Sequence, residues 1–117
     1  MPDRLSAKVA KVTSLGFAVP QQSYTQQEAL RMLGYTSPLA ERIFLNTGID
    51  RRYLWGNPVG RSWQELCDAY AEGALQLSIA AAQGALEGHD PTSIGLIVFC
   101  SVSGYTCPAM SYRIARE

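Results

Sequence analysis

Two cysteines near the end of the sequence are the side chains best suited to nucleophilic chemistry. Cys100 ends an apolar run, and open α/β sheets place ligand crevices at such strand ends. A cysteine there is either a nucleophile or, more commonly, a small buried hydrophobe. Cys107 precedes Pro108, which can open a helix, and a helix amino terminus lowers the pKa of a thiol. Catalysis at Cys107 would need a base, for which the sequence offers no partner. Cys67 falls on the apolar face of a predicted helix and is predicted to be core.

The single histidine limits which chemistry these residues can perform by themselves. His89 lies in the segment GHDP, which is typical of a turn, so we expect no Cys-His pair, Ser-His pair or metal cluster. The three cysteines are odd in number and lack C-x-x-C spacing, which indicates neither a disulfide framework nor a zinc site. The segment SVSG at residues 101–104 superficially resembles a nucleophile elbow, but the G-x-S-x-G spacing is absent. We therefore predict no catalytic residue and no metal ligand, and we expect Gly104 to adopt a positive φ.

Three arginines form a local concentration of basic residues. Arg42 lies nine residues before the pair Arg51 and Arg52. Guanidinium groups match phosphate oxygens in geometry, so these residues are candidates for gripping a phosphate-bearing group. The alternative is that they form an ordinary solvated surface.

Composition excludes several classes of function. The chain has 117 residues, with 10 Lys and Arg against 10 Asp and Glu, and 47% of its residues are apolar. This length suits one domain, and zero net charge provides no field for collecting nucleic acid or anionic membrane. The sequence contains no run of about 18 apolar residues and does not start with a secretory signal. We therefore expect a folded, soluble, cytoplasmic protein that binds neither nucleic acid nor membrane.

Capping signals predict three helices. Thr25 with Glu28, and Ser62 with Glu65, have the capping-box spacing, whereas Pro38 suits the first position of a helix. The predicted helices cover residues 25–33, 38–46 and 62–88. The third contains Gly73 and Gly84, each of which costs about 1 kcal/mol relative to alanine, so we expect another backbone to pass close by.

Apolar runs predict the strands. Residues 7–19, which end before Pro20, are predicted to form a strand, and residues 49–55 a short extended stretch or loop. The nearly unbroken apolar run at residues 94–102 is typical of a central parallel strand that is covered on both faces. Pro108 is predicted to open a helix that runs to Glu117 without a stop signal, so we expect the chain to be cut inside an element.

Taken in order, these segments carry a resemblance to a known family. They are VTSLGFAVPQQSYTQQEAL, FLNTGIDRRYL, the long alanine-rich helix and SIGLIVFCSVSGYTCPAMSYRIARE. The set resembles the amino-terminal third of the decarboxylating synthases of the thiolase superfamily. TGI-x-R-R-Y is similar to β-ketoacyl-ACP synthase III as well, but Ser-Gly followed by Pro after the predicted central strand looks more like type III polyketide synthases of the chalcone and stilbene synthase kind.

The resemblance implies a fold, a reaction and partners. It implies a thiolase-like α/β fold with α/β/α/β/α layers, of which residues 1–117 would be the incomplete amino-terminal portion. The implied enzyme is a homodimeric acyltransferase that condenses malonyl-CoA onto an acyl thioester with decarboxylation. It uses acyl-CoA and malonyl-CoA as substrates, or an acyl carrier protein as donor, and has no permanently bound cofactor. The family's nucleophilic cysteine, histidine and asparagine would all lie beyond Glu117.

Individual positions also match the family pattern. Arg42 falls on an arginine that contacts the phosphates of coenzyme A, but the neighbouring lysines fall on Leu39 and Asn46. This difference leaves open a carrier-protein donor or a grip through Arg51 and Arg52.

The loop after the predicted central strand matches the family at three further positions. Val102 and Ser103 match positions that border the substrate pocket, and Cys107 matches a residue that crosses the dimer interface to the partner's cavity. Cys107 would then be part of the pocket wall and not the nucleophile. One alternative remains outside this class of enzyme: the 117 residues would form a non-catalytic dimerisation or regulatory module.

Overall fold

The computed structural model describes residues 10–104 and 106–117 of the chain. This part combines helices with a two-stranded antiparallel sheet, so the prediction of a mixed α and β protein is confirmed at that level. In chain order the elements are β1 (Ser23–Thr25), α1 (Gln26–Leu33), α2 (Pro38–Leu45), β2 (Arg51–Tyr53), α3 (Trp63–Ala85), a 3-10 turn (Pro91–Ser93) and α4 (Met110–Ala115).

Helix α1 is defined by the local signals that predicted it. The Thr25 hydroxyl accepts the Glu28 backbone N–H at 3.2 Å, and the Glu28 carboxylate accepts the Thr25 backbone N–H at 2.7 Å. The Glu28 carboxylate accepts from the Thr25 backbone N–H and, at 2.9 Å, from the Thr25 hydroxyl, and these two bonds, the backbone one first, lower the pKa of Glu28. At the other end Gly34 takes φ 69°, a left-handed cap that closes the helix.

Helix α2 follows after a short turn and ends close to the predicted residue. Pro38 occupies its first turn and Asn46 is its carboxyl-terminal cap. Ser37 is the amino-terminal cap residue, but its side chain makes no capping hydrogen bond. Helix α2 packs against α1, and α1 in turn contacts both strands.

The two strands pair as a short antiparallel ladder. Tyr24 lies opposite Arg52 in the register, and the bond from the Leu54 N–H to the Gln22 carbonyl extends the pairing by one step. Strand β2 falls inside the segment 49–55 that was predicted to be extended, so that prediction is confirmed.

The long helix α3 begins and ends near the predicted residues. The Ser62 hydroxyl accepts the Glu65 backbone N–H at 3.3 Å, and the Glu65 carboxylate accepts the Ser62 backbone N–H at 2.7 Å. The backbone of Gly16 runs alongside the last turns of α3, with its Cα 3.8 Å from the position that a Gly84 β-carbon would take. The predicted close approach of another backbone is therefore confirmed at Gly84. At Gly73 the neighbour is a side chain, the indole ring of Trp55.

The α3 capping box predicts a stability that depends on pH. The Ser62 hydroxyl and backbone, in that order, lower the pKa of Glu65 below its ordinary value of 4.5. Because the pKa is lower in the folded state, the stabilisation is complete above pH 4.5 and is lost as pH falls through the folded pKa. We expect Ser62→Ala to lower the unfolding free energy by about 1 kcal/mol at pH 7. The further loss of stability at acidic pH should be smaller in this variant than in the native protein.

Chemical unfolding of the variants at pH 7 and at pH 3 to 5 measures both effects. Ser37→Ala is the matched control, because the Ser37 side chain makes no capping hydrogen bond and its loss should change stability little. Equal losses for the two serine variants would contradict the prediction.

Two predicted strands are absent from the described residues. Residues 10–19 form no strand, and residues 7–9 of that prediction lie outside the described part. Residues 94–102 also form no strand, and the side chains of Leu96 and Val98 are 79% and 80% exposed. These predictions are wrong for the described chain because a strand needs a hydrogen-bonded neighbour, and the described sheet contains only β1 and β2.

Helix α4 is shorter than predicted. It starts at Met110, two residues after Pro108, and ends at Ala115, where the Arg116 N–H bonds to the Arg113 carbonyl. The Cys107–Pro108 peptide bond is cis. Helix α4 packs against α3, and Met110 is buried in that contact region.

The hydrophobic core of the described residues is small. The buried apolar side chains are those of Ala29, Leu30 and Met110, and no large side chain among the described residues is fully buried. The radius of gyration is 19.5 Å. A compact chain of this length would have about 13 Å. Most apolar side chains of the described part therefore retain solvent-exposed surface.

Candidate functional site

The loop Ser101–Gly104, which contains two predicted pocket residues, is attached to the long helix by a tyrosine. The Tyr70 hydroxyl on α3 donates to the Ser101 hydroxyl at 2.8 Å. The Ser101 hydroxyl donates to the Ser103 carbonyl at 2.9 Å and accepts the Ser103 backbone N–H at 3.3 Å. Tyr70 thus reaches the backbone of Ser103 through a single intervening hydroxyl.

A second contact holds the same loop against the same side chain. Gly104 has φ 80°, so the predicted positive φ is confirmed. A β-carbon at Gly104 would lie 2.7 Å from Cδ1 of the Tyr70 ring, closer than carbon atoms approach each other in proteins. The aromatic ring and the hydroxyl of Tyr70 therefore contact successive parts of the Ser101–Gly104 loop.

The structure places the predicted pocket residues on the surface. Val102 and Ser103 are both exposed, and Cys107 is exposed as well. Cys107 lies three residues before the first residue of α4, so the expected position at a helix amino terminus is wrong. Beside it, the Thr106 hydroxyl donates to the Pro108 carbonyl at 3.1 Å. The roles of Val102, Ser103 and Cys107 in a pocket or a dimer interface stay predictions.

The other two cysteines also differ from expectation. Cys100 is exposed and Cys67 is half-buried, so neither is the buried core residue that the sequence predicted. The Cys100 prediction assumed that residues 94–102 form a strand packed inside a sheet, and in the described chain these residues lie along the surface. The Cys67 prediction assumed that the apolar face of α3 is fully covered, but Gly73 is the one buried residue of that helix among the described residues.

The three arginines occupy different environments. Arg42 is exposed in the last turn of α2. Arg51 and Arg52 are neighbours on β2, and successive side chains of a strand point to opposite faces. Arg51 donates to the Ser23 hydroxyl at 2.7 Å. Arg52 is half-buried and donates through Nε to the Gln26 side-chain oxygen at 2.6 Å. The structure therefore does not bring the two side chains of β2 together, and a phosphate grip by any of the three arginines stays a prediction.

Gln26 organises the contacts around Arg52. Its amide nitrogen donates to the Phe44 carbonyl at 2.5 Å and to the Thr47 hydroxyl at 2.7 Å, and only 6% of the residue is exposed. The guanidinium of Arg52 lies 4.2 Å from the centroid of the Phe44 ring. Sequence reasoning missed Gln26, because a glutamine in the first turn of a helix carries no signal of the distant residues that it contacts.

The concave regions among the described residues include two of several hundred Å³. One has a volume of about 470 Å³ between Pro20, Trp55 and Leu77. The other has a volume of about 590 Å³, is mainly apolar, and lies between the end of α3, residues 94–97 and α4. Val102, Ser103 and Cys107 line neither of them.

Two other kinds of site are absent from the described residues. No helix of residues 10–104 and 106–117 combines the length and the apolar character of a membrane span. In the same ranges, no three His, Cys, Asp or Glu side chains lie close enough together to share a metal ion.

Comparison with known proteins identifies relatives along most of the chain. No protein-family model matches it. The 3,5-dihydroxyphenylacetyl-CoA synthase of Amycolatopsis balhimycina is 30% identical over 119 aligned residues, which cover 94% of this chain and 32% of that protein. The synthases of the same name from Amycolatopsis orientalis and Streptomyces toyocaensis are 31% and 28% identical, over 94% and 92% of this chain and 32% and 30% of their own lengths.

These relatives are of the class of condensing enzymes that the sequence resembled. They are type III polyketide synthases, so the predicted resemblance is confirmed, and the chain is a homologue of type III polyketide synthases along most of its length. The particular relatives are named as synthases of 3,5-dihydroxyphenylacetyl-CoA, and the chain spans about a third of their length.

Proposed function

We propose that residues 1–117 are the amino-terminal part of a type III polyketide synthase-like acyltransferase with the layered thiolase-like fold. The observation that carries this proposal is the identity of about 30% to three 3,5-dihydroxyphenylacetyl-CoA synthases along nearly the whole chain. The relatives are CoA-thioester synthases by name, which favours CoA-bound substrates over the carrier-protein donor of β-ketoacyl-ACP synthase III.

The proposed reaction joins an acyl starter to a malonyl unit. A cysteine thiolate attacks the starter thioester, which forms an acyl-cysteine thioester and releases the CoA thiolate. Loss of carbon dioxide from malonyl-CoA leaves the bonding electron pair on the neighbouring carbon as an enolate. This carbon then attacks the acyl-cysteine carbonyl, which forms a new carbon–carbon bond and releases the cysteine thiolate. Polar donors stabilise the negative charge on oxygen in both steps.

The proposed contribution of these residues is structural support and part of the pocket wall. None of Cys67, Cys100 and Cys107 matches the family nucleophile. The thiolate, histidine and asparagine are therefore proposed to come from other residues of the complete enzyme. The exposed apolar segment 94–102 supports this division, because covering it on both faces would need strands and helices other than the described ones. Val102, Ser103 and Cys107 are proposed to border the pocket, with Cys107 at the interface of a cytoplasmic homodimer.

Incubation of the complete enzyme with acyl-CoA starters and radiolabelled malonyl-CoA tests the proposal. We expect release of labelled carbon dioxide and condensed products that depend on a cysteine outside these three, and replacement of that cysteine by alanine should abolish condensation. Use of malonyl-ACP in preference to malonyl-CoA would favour the synthase III alternative. Failure of the complete enzyme to take up any acyl group would exclude an acyltransferase function. Cooperative folding with self-association of the 117 residues alone would then favour a dimerisation module.

The environments of the arginines predict different effects for two substitutions. Arg42 is exposed and is proposed to contact the CoA phosphates, so Arg42→Ala should raise KM for malonyl-CoA about tenfold while stability stays unchanged. Arg52 contacts Gln26 and Phe44 instead, so Arg52→Ala should lower the unfolding free energy by about 1–2 kcal/mol.

Steady-state kinetics and urea unfolding of both variants separate the two roles. Arg31→Ala, which removes another exposed arginine from α1, is the control for a general loss of positive charge. A tenfold rise in KM for Arg31→Ala as well would show that the CoA phosphates respond to net charge and would contradict the assignment of Arg42.

A further inference from the structure

One hydrogen bond and one ring contact connect α3 to the loop that the proposed function places at the pocket, and two further hydrogen bonds lie within that loop. Tyr70 donates to Ser101, and Ser101 both donates to the Ser103 carbonyl and accepts the Ser103 N–H. The Tyr70 ring also lies 2.7 Å from the position that a β-carbon at residue 104 would take. The bond from Tyr70 to Ser101 spans 31 residues of sequence, so it fixes the loop relative to a rigid helix, whereas the bonds between Ser101 and Ser103 fix the loop only relative to itself.

The hydroxyl of Ser101 has a balanced set of partners. It carries one proton, which goes to the Ser103 carbonyl, and its oxygen accepts from both the Tyr70 hydroxyl and the Ser103 N–H. Tyr70 is half-buried, whereas the four loop residues are exposed. Without the Tyr70 donor the loop would keep only its local bonds between Ser101 and Ser103, which do not specify where the loop lies.

We propose that Tyr70 is a positioning residue that fixes the Ser101–Gly104 loop and thereby sets the starter selectivity of the pocket. This inference rests on the proposed function, because it takes Val102 and Ser103 to border the pocket. Tyr70 itself need not contact substrate: its hydroxyl acts through Ser101, and its ring acts through Gly104. Selectivity changes when the loop shifts, because the volume open to the acyl group then changes.

Tyr70→Phe in the complete enzyme is the central experiment, because it removes the hydroxyl and retains the ring. We expect hydrogen exchange of the Ser103 amide to rise about fivefold, which corresponds to the loss of one net hydrogen bond. We also expect the ratio of kcat/KM between a short and a bulky acyl-CoA starter to change at least threefold, with the change in KM of the starter and not in kcat. Ser101→Ala should reproduce both effects, and Ser101→Thr, which keeps the hydroxyl, should restore both.

Tyr112→Phe is the matched control, since Tyr112 lies on α4 and is 55% exposed. It should change neither exchange at Ser103 nor starter selectivity. Unchanged exchange in Tyr70→Phe, or raised exchange with unchanged selectivity in an active enzyme, would overturn the inference. An enzyme that accepts no thioester while Tyr70→Phe raises exchange would instead overturn the proposed function, so the two failures are distinguishable.

Discussion

Gly73→Ala is expected to destabilise the protein, whereas Gly84→Ala in the same helix is expected to stabilise it. Both substitutions give α3 the same gain in helix propensity, about 1 kcal/mol. They differ in what the new methyl group meets. At Gly84 the nearest heavy atom is the Gly16 Cα at 3.8 Å, an ordinary van der Waals distance. At Gly73 three atoms of the Trp55 ring lie between 2.6 and 2.9 Å, so the indole must move.

Displacement of the Trp55 ring decides whether Gly73→Ala stabilises or destabilises the protein. Forcing an extra methyl group into a packed site costs about 1–3 kcal/mol, which exceeds or cancels the propensity gain. We therefore expect Gly84→Ala to raise the unfolding free energy by up to about 1 kcal/mol and Gly73→Ala to lower it by up to about 2 kcal/mol. Urea unfolding of both variants measures the difference between them.

Repeating Gly73→Ala in a protein that carries Trp55→Ala tests whether the Trp55 ring causes the loss of stability. With Trp55→Ala the obstructing ring is gone, so Gly73→Ala should become stabilising like Gly84→Ala. Fluorescence provides a second readout, because the other tryptophan, Trp63, is 80% exposed and should emit unchanged. A Gly73→Ala variant that is as stable as Gly84→Ala in the native background would contradict this account of the packing.

Helix boundaries were predictable because their determinants are local. The Thr25 and Ser62 capping boxes each join residues three positions apart, and the side-chain and backbone hydrogen bonds expected from that spacing are present in both. Gly34 likewise ends α1 through its own φ. Such interactions form within one turn of chain, so neighbouring residues contain the information that defines them.

The strand predictions failed where the determinant was not local. An apolar run such as residues 94–102 predicts burial, but a strand exists only when another segment accepts its hydrogen bonds. Strands β1 and β2, in contrast, pair with each other although each has only three residues. Residue composition alone does not reveal whether a partner segment is present.

Side-chain networks that span long stretches of sequence were equally hidden. Gln26 bonds to residues 18 to 26 positions away, and Tyr70 bonds to a serine 31 positions away. Resemblance to a family identified the loop at residues 102–107, yet it gave no reason to single out Tyr70 on α3. Only the folded chain connects that helix to the loop.

Gly104→Ala is expected to cost more stability than the same substitution at a loop glycine that is constrained only by its backbone conformation. Two effects coincide at Gly104. Its φ of 80° disfavours a side chain, by about 1 kcal/mol, and the added β-carbon collides with the Tyr70 ring. Gly88 has φ 77° with open space around it, and Gly95 has open space and no positive φ. These three glycines therefore separate backbone strain from the ring contact.

The expected order of destabilisation is Gly95→Ala near zero, Gly88→Ala about 1 kcal/mol, and Gly104→Ala about 2 kcal/mol. Urea unfolding measures the order, and hydrogen exchange at Ser103 should rise for Gly104→Ala alone. In a Tyr70→Ala background the ring is absent, so the excess of Gly104→Ala over Gly88→Ala should disappear and leave only the strain common to both. If that excess persists without the ring, the loop is held by contacts other than those with Tyr70, and the connection between α3 and the pocket loop does not depend on this side chain.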